Sequence, residues 1–461
     1  MNYRNIEESL NRTLKMSMDS GEASSIEEAE KIFKGYRLAI VAGPDMANSP
    51  TLQSALLTAV NTGRRCFLGG VMVNGDLDVG LQIPWRKCKT LSEAIADIRG
   101  RRVESIPPDV PLIVIGDLKH IRRDAGRFAV QATFDGWSGG VSPLADNVRL
   151  PEEKEFTPAG VLAGALAVSE AFQHVRGHQI AGHRKVGLSL WRPSSSVSWL
   201  DPANAGPSIE NLPSRLWLIG LGHLGQAFLW TMGFLPYARS DEVCLVLQDY
   251  DYLSKANDST SLLTFFPFEE EKKTRAMARW CEERGFNTII NEKRFASDFK
   301  LSSDDPLVGI CGVDNGIARA ALEDVGFSRV IEAGLGGGPK EYLAFQIHTL
   351  PGPQGARNKW GAYASAETES DLIKKPAYES LAREGFDRCG LTTLAGRSVG
   401  ASFVGAATSA LVIAELLRMV HGWHAYSVVD GNFRSLDQRE AIVNKLWCDP
   451  FNPGSTGIFH R

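Results

Sequence analysis

A glycine turn between two short apolar runs constrains this chain more than any other feature. Residues 216–219 have strand character, and a G-x-G-x-x-G turn follows them at Gly220, Gly222 and Gly225. A helical pattern comes next, and a second apolar run, 243–247, leads to Asp249. A strand, a glycine turn, a helix and a strand that ends in a carboxylate are typical of a mononucleotide-binding unit. The turn alone is weak evidence, but with its flanking strands and the acid it favours a nucleotide site over a ligand-free turn.

Composition bounds the class of protein. The 461 residues are enough for two or three domains, and 43% hydrophobic and 23% charged residues with a net charge of −4 fit a soluble globular protein that does not bind nucleic acid. The first residues lack the apolar core of a signal peptide, and the apolar stretches 159–172 and 401–417 are too short to span a membrane. Seven cysteines without a C-x-x-C pair predict a reducing, cytoplasmic location without structural zinc or disulfides.

The order of elements predicts an α/β protein. Helical spacing over 4–35 leads into a strand at 37–42, and short strands, including one expected at 66–69, then alternate with helices up to 157–175. Residues 186–212 are rich in Pro, Ser and Asn and predict a linker, after which the alternation restarts. The expected organisation is a helical segment 1–36, a domain 37–185, the linker 186–212, a domain 213–430 and an extension 431–461.

The two domains look like unequal copies of one unit. Residues 37–44 match 215–222, 109–117 match 304–315, 134–143 match 331–339, and 158–178 match 399–422. The first copy has Gly43-Pro44-Asp45 in place of the glycine turn, and its second strand ends without an acid. Because Pro44 has no backbone N–H to offer a phosphate, the first copy is predicted to have lost nucleotide binding.

Polar side chains recur where the strands of the second copy end. They are Asp249, Asp251, Asn257, Lys273, Asp314, Asn315 and Arg319. The carboxyl ends of strands in an open α/β sheet converge on one crevice. Carboxylates suit Mg²⁺, and cations suit the charge that develops on a leaving pyrophosphate. Each residue alone would fit a helix cap or a solvated face, but their order behind the glycine turn favours phosphate chemistry.

These residues resemble the adenylation domain of ubiquitin-activating enzymes and of their relatives in molybdopterin and thiamine biosynthesis, over about residues 210–425. The resemblance implies two tandem Rossmann-like (ThiF-type) domains with mainly parallel sheets, the first degenerate, and ATP and Mg²⁺ as cofactors. It implies that Asp249 holds the ribose, that Lys273 contacts the phosphates and that Asp314 binds the metal. The implied nucleotide-binding set is Gly220, Gly222, Gly225, Asp249, Asp251, Asn257 and Lys273, and the implied catalytic set is Lys273, Asp314, Arg319 and Cys389.

The sequence departs from the family in three ways. Thr260 stands where the family's N-x-x-R motif has its arginine, so a phosphate contact is missing or is supplied elsewhere. The C-x-x-C pairs of the biosynthetic relatives and the large cysteine-bearing domain of eukaryotic ubiquitin activation are both absent. Cys389 instead precedes the last helix, which resembles the autophagy-type enzyme, whose thioester cysteine lies on a loop crossing the adenylate site. Neighbouring arginines would favour its thiolate, and a small buried side chain is the alternative.

The expected activity is ATP-dependent adenylation of the carboxyl terminus of a ubiquitin-like protein, followed by a thioester on Cys389 and transfer to a conjugating-enzyme cysteine. The expected partners are those two proteins, and a homodimer stays open. One alternative is an adenylyltransferase of the same fold that acts on a peptide or sulfur carrier without a thioester. The others are a nicotinamide-dependent oxidoreductase, which would leave Asp251, Lys273 and Asp314 unexplained, and a catalytically decayed scaffold.

Overall fold

The computed structural model of the protein describes residues 6–85, 87–118, 127–360, 372–444 and 454–459. Within these ranges the chain forms two similar sheets and the helices that pack on them. Strands and helices are numbered here in chain order.

The first sheet has seven strands in the order β3-β2-β1-β4-β5-β6-β7. The strands are β1 (Leu38–Ala42), β2 (Val71–Asn74), β3 (Arg101–Arg102), β4 (Leu112–Ile115), β5 (Ala129–Asp135), β6 (Ser138–Pro143) and β7 (Val186–Ser189). The pairs from β3 to β5 are parallel, and β6 and β7 are added antiparallel.

The second sheet has eight strands and repeats that order as β11-β10-β9-β12-β13-β14-β15-β16. Its strands are β9 (Arg215–Ile219), β10 (Cys244–Gln248), β11 (Asn287–Asn291), β12 (Val308–Cys311), β13 (Arg329–Leu335), β14 (Ala344–Leu350), β15 (Tyr426–Asn432) and β16 (Glu440–Val443). The pairs from β11 to β13 are parallel and the rest antiparallel. A separate ribbon joins β8 (Asn211–Pro213) to β17 (Ser455–Gly457). The shared strand order is what a duplication of one unit predicts.

Helices connect the strands and begin at local start signals. They are α1 (Ile6–Ser9), α2 (Arg12–Ser20), α3 (Ile26–Gly35), α4 (Pro50–Cys66), α5 (Leu91–Asp97), α6 (Thr157–Val175), α7 (His223–Met232), α8 (Lys273–Glu282), α9 (Gly316–Ala320), α10 (Ala356–Trp360), α11 (Pro376–Arg383), α12 (Arg388–Ala395) and α13 (Ser402–Val420). Asn11, Ser25 and Ser49 each accept backbone N–H groups from the first turn of the helix that follows. These side chains satisfy donors that would otherwise have no partner.

The two sheets share one core. Helices α4 and α6 pack on each other, α13 packs on α6 and α7, and side chains of both halves belong to a single buried apolar cluster. α13 is long and apolar enough to cross a membrane by length and composition, but 89% of its apolar window is buried inside the protein. It is therefore a core helix of the interface between the halves.

Three sequence-based boundaries differ from the structure. Cys66, expected to open a strand, is the last residue of α4, and the strand comes after the turn that follows. The expected linker 186–212 begins with β7, which pairs with β6, and the expected extension 431–461 contains the end of β15 and all of β16. All three differences depend on whether a short segment pairs with a distant strand or continues a helix. The local sequence does not determine this choice.

Candidate nucleotide site

The glycine turn predicted from sequence closes β9 against α7. Gly220 has a φ of +85°, a conformation that glycine adopts without the steric cost of a Cβ. Gly225 lies so close to Gly220 that a Cβ on it would be 2.0 Å from the Gly220 carbonyl oxygen. A Cβ on Gly222 would meet nothing within 4 Å, so the start of α7 faces open space. The turn thus leaves room beside a helix N-terminus, where an anion is stabilised by the helix dipole.

Asp249 ties this turn to the neighbouring strand. Its carboxylate is 9% exposed and accepts the N–H of Leu221 at 2.7 Å and that of Asp251 at 2.8 Å. Gln226, which is fully buried in α7, fixes the turn from the other side by donating to the Leu221 carbonyl. The ribose role of Asp249 stays a prediction, and in the structure its carboxylate holds the shape of the turn.

Lys273 and Asp251 form a charged pair beside the turn. The Lys273 amine, on the first residue of α8, lies 2.8 Å from Asp251 and 4.0 Å from Asp249. Lys273 is 9% exposed, whereas the Asp251 side chain is 46% exposed. The structure therefore brings together the lysine and the two acids that the sequence predicted.

Asn257 caps its own loop. It lies in a short 3-10 helix, and its side-chain oxygen accepts the N–H of Ser254 at 2.8 Å. Thr260 closes this loop against the segment before α13: a Cβ on Gly400 would lie 3.2 Å from Thr260 and 3.5 Å from His223 of the glycine turn. The loop thus borders the turn, with Asn257 engaged in local structure.

Arg12, which sequence reasoning missed, lies against this same loop. Its backbone N–H donates to the Ser259 hydroxyl at 3.0 Å, one residue from Thr260. The Nη1 atom of Arg12 is buried and has no hydrogen-bond partner among the described residues, and burial lowers the pKa of the guanidinium to about 10. Nη2 of the same guanidinium donates to the Glu7 carbonyl, so Nη1 is the donor from which an anion could still accept.

Asp314 follows β12. The residue is exposed, and within the described residues its carboxylate accepts no hydrogen bond and forms no ion pair. A Cβ on Gly220 would lie 2.8 Å from Val313, so the end of β12 contacts the glycine turn. No group of three or more His, Cys, Asp or Glu residues suited to a metal occurs in the described chain. One free carboxylate fits Mg²⁺, which commonly takes one or two carboxylates together with substrate phosphates.

The predicted thioester cysteine lies near the start of a helix. Cys389 is the second residue of α12, where a loop was expected, and its side chain is outside the described part of the structure. Burial raises the pKa of Cys66 and Cys311 to about 12 and raises that of Cys281 still further. These three thiols are therefore protonated at neutral pH and poor nucleophiles.

The equivalent position of the first copy is filled by its own side chains. The Asp45 carboxylate accepts the Asp117 N–H with both oxygens at 2.9 Å and pairs with Arg149. Arg149 also pairs with Glu152, which is buried and whose pKa is raised by that burial. An acid and an arginine thus occupy the edge of the first sheet that corresponds to the open edge of the second.

Two arginines of the first half reach the second half next to this site. Arg65 of α4 is fully buried and donates to the carbonyls of Leu262 and Thr264, and Arg64 pairs with Asp258. Burial lowers the pKa of both guanidinium groups. The only sequence signal for this contact is a pair of arginines at the end of an otherwise apolar helix.

Comparisons with known proteins find a relative over nearly the whole chain. Two family models match the chain, the BilD N-terminal domain over residues 37–190 and the BilD C-terminal domain over residues 212–423. The bacterial E1-like protein BilD of Collimonas sp. (strain OK412) is 40% identical over 450 residues, which cover 97% of this chain and 96% of that protein. The chain belongs to the BilD family of bacterial E1-like proteins. BilD membership supports the predicted superfamily and an enzyme of the adenylyltransferase type.

Solved structures give a more distant likeness to this BilD-family chain. E. coli MccB is 11% identical with a TM-score of 0.30, covering 72% of this chain and 93% of that one. PaaA is 13% identical with a TM-score of 0.33, covering 50% of this chain and 64% of that one. Similarity at this level carries no argument about substrate. The first BilD domain ends at residue 190, one residue after β7, in agreement with the sheet.

Proposed function

We propose that this protein uses Mg-ATP to adenylate the carboxyl terminus of a ubiquitin-like protein in the cytoplasm. One observation carries the proposal: the second sheet brings an open glycine turn, the Lys273–Asp251 pair and the free carboxylate of Asp314 to one edge. An oxidoreductase would need the turn and Asp249 but not the lysine or Asp314. The proposal therefore accounts for more of the site than a nicotinamide enzyme does.

The residues have distinct tasks in this reaction. The turn and the first N–H groups of α7 bind phosphate oxygens, and Lys273 stabilises negative charge there. Asp314 would hold Mg²⁺, which when bound neutralises charge on the phosphates. The substrate carboxylate attacks the α-phosphorus, and the bond to pyrophosphate breaks as the acyl-adenylate forms. The protein contributes position and electrostatics to this step rather than a covalent bond.

Arg12 is proposed to supply the phosphate contact that Thr260 lacks. Its backbone N–H donates to Ser259, next to Thr260, and its Nη1 atom is buried without a hydrogen-bond partner among the described residues. Because α2 belongs to the N-terminal segment, the site would be completed from outside the second half. Arg12→Lys keeps the charge and loses the planar fork, so we expect a higher KM for ATP.

The first copy is proposed to bind no nucleotide. Asp45 already accepts the backbone N–H that follows β4, and its negative charge would repel a phosphate. Labelled ATP should therefore bind with a stoichiometry of about one per chain if the open edge of the second sheet is the only nucleotide site.

Mg-ATP–pyrophosphate exchange tests the proposal. The assay uses the purified protein with a ubiquitin-like protein that ends in glycine, and compares Asp314→Ala with Asp298→Ala, which removes an exposed acid that belongs to none of the predicted motifs. We expect exchange that requires the ubiquitin-like protein, is lost in Asp314→Ala and persists in Asp298→Ala. ATP binding without exchange by any such protein would contradict adenylation and favour a decayed scaffold.

Cys389 distinguishes the proposed pathway from its main alternative. We propose that its thiolate attacks the acyl-adenylate, releases AMP and forms a thioester that passes to a conjugating-enzyme cysteine. Cys389→Ala should then keep pyrophosphate exchange and lose an adduct that reducing agent cleaves. If the variant still makes the final product, the protein modifies its substrate without a thioester, as an adenylyltransferase of peptides would.

A further inference from the structure

A buried carboxylate fixes one edge of the Arg319 guanidinium. Glu332 on β13 is 1% exposed, and its Oε1 lies 3.0 Å from Nε of Arg319. The same Nε donates to the Val313 carbonyl at 2.9 Å. Because the Val313 carbonyl accepts the Nε proton and the Glu332 carboxylate lies beside it as an ion-pair partner, the outer edge with Nη1 and Nη2 has a defined direction.

His348 supports Glu332 from the neighbouring strand. The two residues are direct cross-strand partners, and Nδ1 of His348 lies 2.8 Å from Oε2 of Glu332. This contact holds the imidazole against the carboxylate. The other side of the imidazole packs edge-on against Trp360, with ring centroids 5.3 Å apart. The histidine therefore holds one carboxylate oxygen while the other faces the arginine.

The outer edge of Arg319 is turned toward the end of β13. A Cβ on Gly334 would lie 3.0 Å from Nη1 and 3.1 Å from Nη2, so glycine lets the guanidinium lie against the backbone. Within the described residues, neither Nη1 nor Nη2 donates a hydrogen bond to another group. The side chain is 18% exposed, so this edge can be reached from solvent.

We propose that Nη1 and Nη2 of Arg319 bind the terminal carboxylate of the substrate, and that Glu332 and His348 are positioning residues for this fork. The inference rests on the proposed adenylation function. Two parallel N–H donors match the two oxygens of a carboxylate. The glycine-rich stretch 334–338 presents little side-chain bulk beside the fork, which suits an extended tail that ends in glycine. One carboxylate oxygen then forms the bond to the α-phosphorus, the bonding electron pair leaves with pyrophosphate, and no proton is transferred.

Direct binding tests the fork without relying on turnover. The probe is a fluorescent synthetic peptide that ends in Gly-Gly, either as a free carboxylate or as an amide, measured by anisotropy on the full chain with Mg-ATP. The wild-type protein should bind the carboxylate at least about tenfold more tightly than the amide. This preference should disappear in Arg319→Lys and should weaken in Gly334→Ala, because the added Cβ would meet Nη1 at 3.0 Å and shift the guanidinium without changing any charge. Arg357→Lys, an exposed arginine paired with Asp324, is the matched control and should keep it.

Two results would overturn the proposal. One is a wild-type protein without a preference for the carboxylate, and the other is a preference that persists in both Arg319→Lys and Gly334→Ala. A thermal melt of each variant confirms that it is folded. The readout is binding and does not depend on turnover. A protein that prefers the carboxylate peptide but shows no pyrophosphate exchange would therefore contradict the proposed adenylation, while the proposed carboxylate binding by Arg319 would stand.

The positioning role has its own signature in the exchange assay. Glu332→Gln keeps the shape of the side chain and the charge of Arg319 but removes the ionic restraint. We expect the KM for the ubiquitin-like protein to rise about tenfold while the KM for ATP is unchanged. A Glu332 that only stabilises the fold would lower the melting temperature and leave both KM values unchanged, which would refute its positioning role.

Discussion

At the scale of single residues, two adjacent lysines give a matched test of the site. Lys273 is buried between Asp249 and Asp251, whereas the amine of Lys272 lies 4.3 Å from the centre of the Tyr252 ring. Lys273→Met should lower pyrophosphate exchange by about a hundredfold or more, because one preorganised cation is lost where charge develops. Lys272→Met should change exchange less than about threefold, as expected for an exposed contact. An equal loss of pyrophosphate exchange in the two variants would show that Lys273 has no specific role in the reaction.

His223 predicts how the stability of the protein changes in acid. The side chain stands in the glycine turn, its Nε2 is buried without a partner among the described residues, and burial lowers its pKa to about 4. In the unfolded chain this histidine has an ordinary pKa of about 6.5. As the pH falls from about 6.5 to about 4, the unfolded chain therefore binds a proton at this histidine and the folded chain does not. This contribution to stability is present above about pH 6.5 and is lost as the pH falls toward about 4.

The measurement is urea unfolding of the wild type and of His223→Gln. Relative to the variant, the wild type should lose about 2 kcal/mol more of its free energy of unfolding between about pH 7 and pH 5. The other histidines are the same in both proteins, so the difference isolates His223. Parallel pH dependence of the two proteins would contradict the assignment.

At the scale of elements, α2 joins the segment of the predicted cysteine to the rest of the molecule. Lys15 pairs with Asp19 at 2.6 Å and donates to the Ala395 carbonyl at the end of α12. Asp19 also accepts the hydroxyl of Tyr378 on α11 at 2.7 Å. All three side chains are buried, and burial lowers the pKa of Lys15 and raises that of Asp19.

Removing one partner of a buried ion pair destabilises the folded protein more than replacing both partners. Lys15→Met leaves the Asp19 carboxyl buried without its cation, so we expect a loss of about 3–5 kcal/mol in the free energy of unfolding. The double variant Lys15→Met/Asp19→Leu should recover most of that loss, because no unpaired charge remains. Urea denaturation of the three proteins decides the point. A double variant as unstable as the single one would mean that the pair contributes through packing rather than charge.

At the scale of the whole molecule, the two halves should unfold together. Trp230 of α7 is 1% exposed, donates to the Thr58 hydroxyl of α4 at 3.0 Å and packs edge-on against Trp85. Trp230→Ala should lower the free energy of unfolding by about 3–5 kcal/mol, the usual effect of a large cavity. Because the cavity lies in the core that both sheets share, the urea transition should shift as a single step. Separate transitions would show that the halves are independent folding units.

Sequence alone predicts much of this architecture and less of the site. The glycine turn and the strands beside it were predictable because they are local patterns of apolar run, turn and acid. The contacts of Arg12 with Ser259 and of Arg65 with Thr264 join residues about two hundred positions apart, and no local pattern encodes them. The sequence predicts a strand at Cys66 because a short apolar run at the end of a buried helix has no hydrophobic periodicity that separates helix from strand.

The burial of α13 also bears on how the chain is made. This helix is apolar on all sides and covers α6 and α7, which lie earlier in the chain. During synthesis both receiving helices have left the ribosome before α13 emerges, so its apolar surface can be covered as soon as it forms. A chain truncated before residue 402 would instead have helices α6 and α7 without their cover, and such a fragment should be captured by chaperones rather than persist as a folded half.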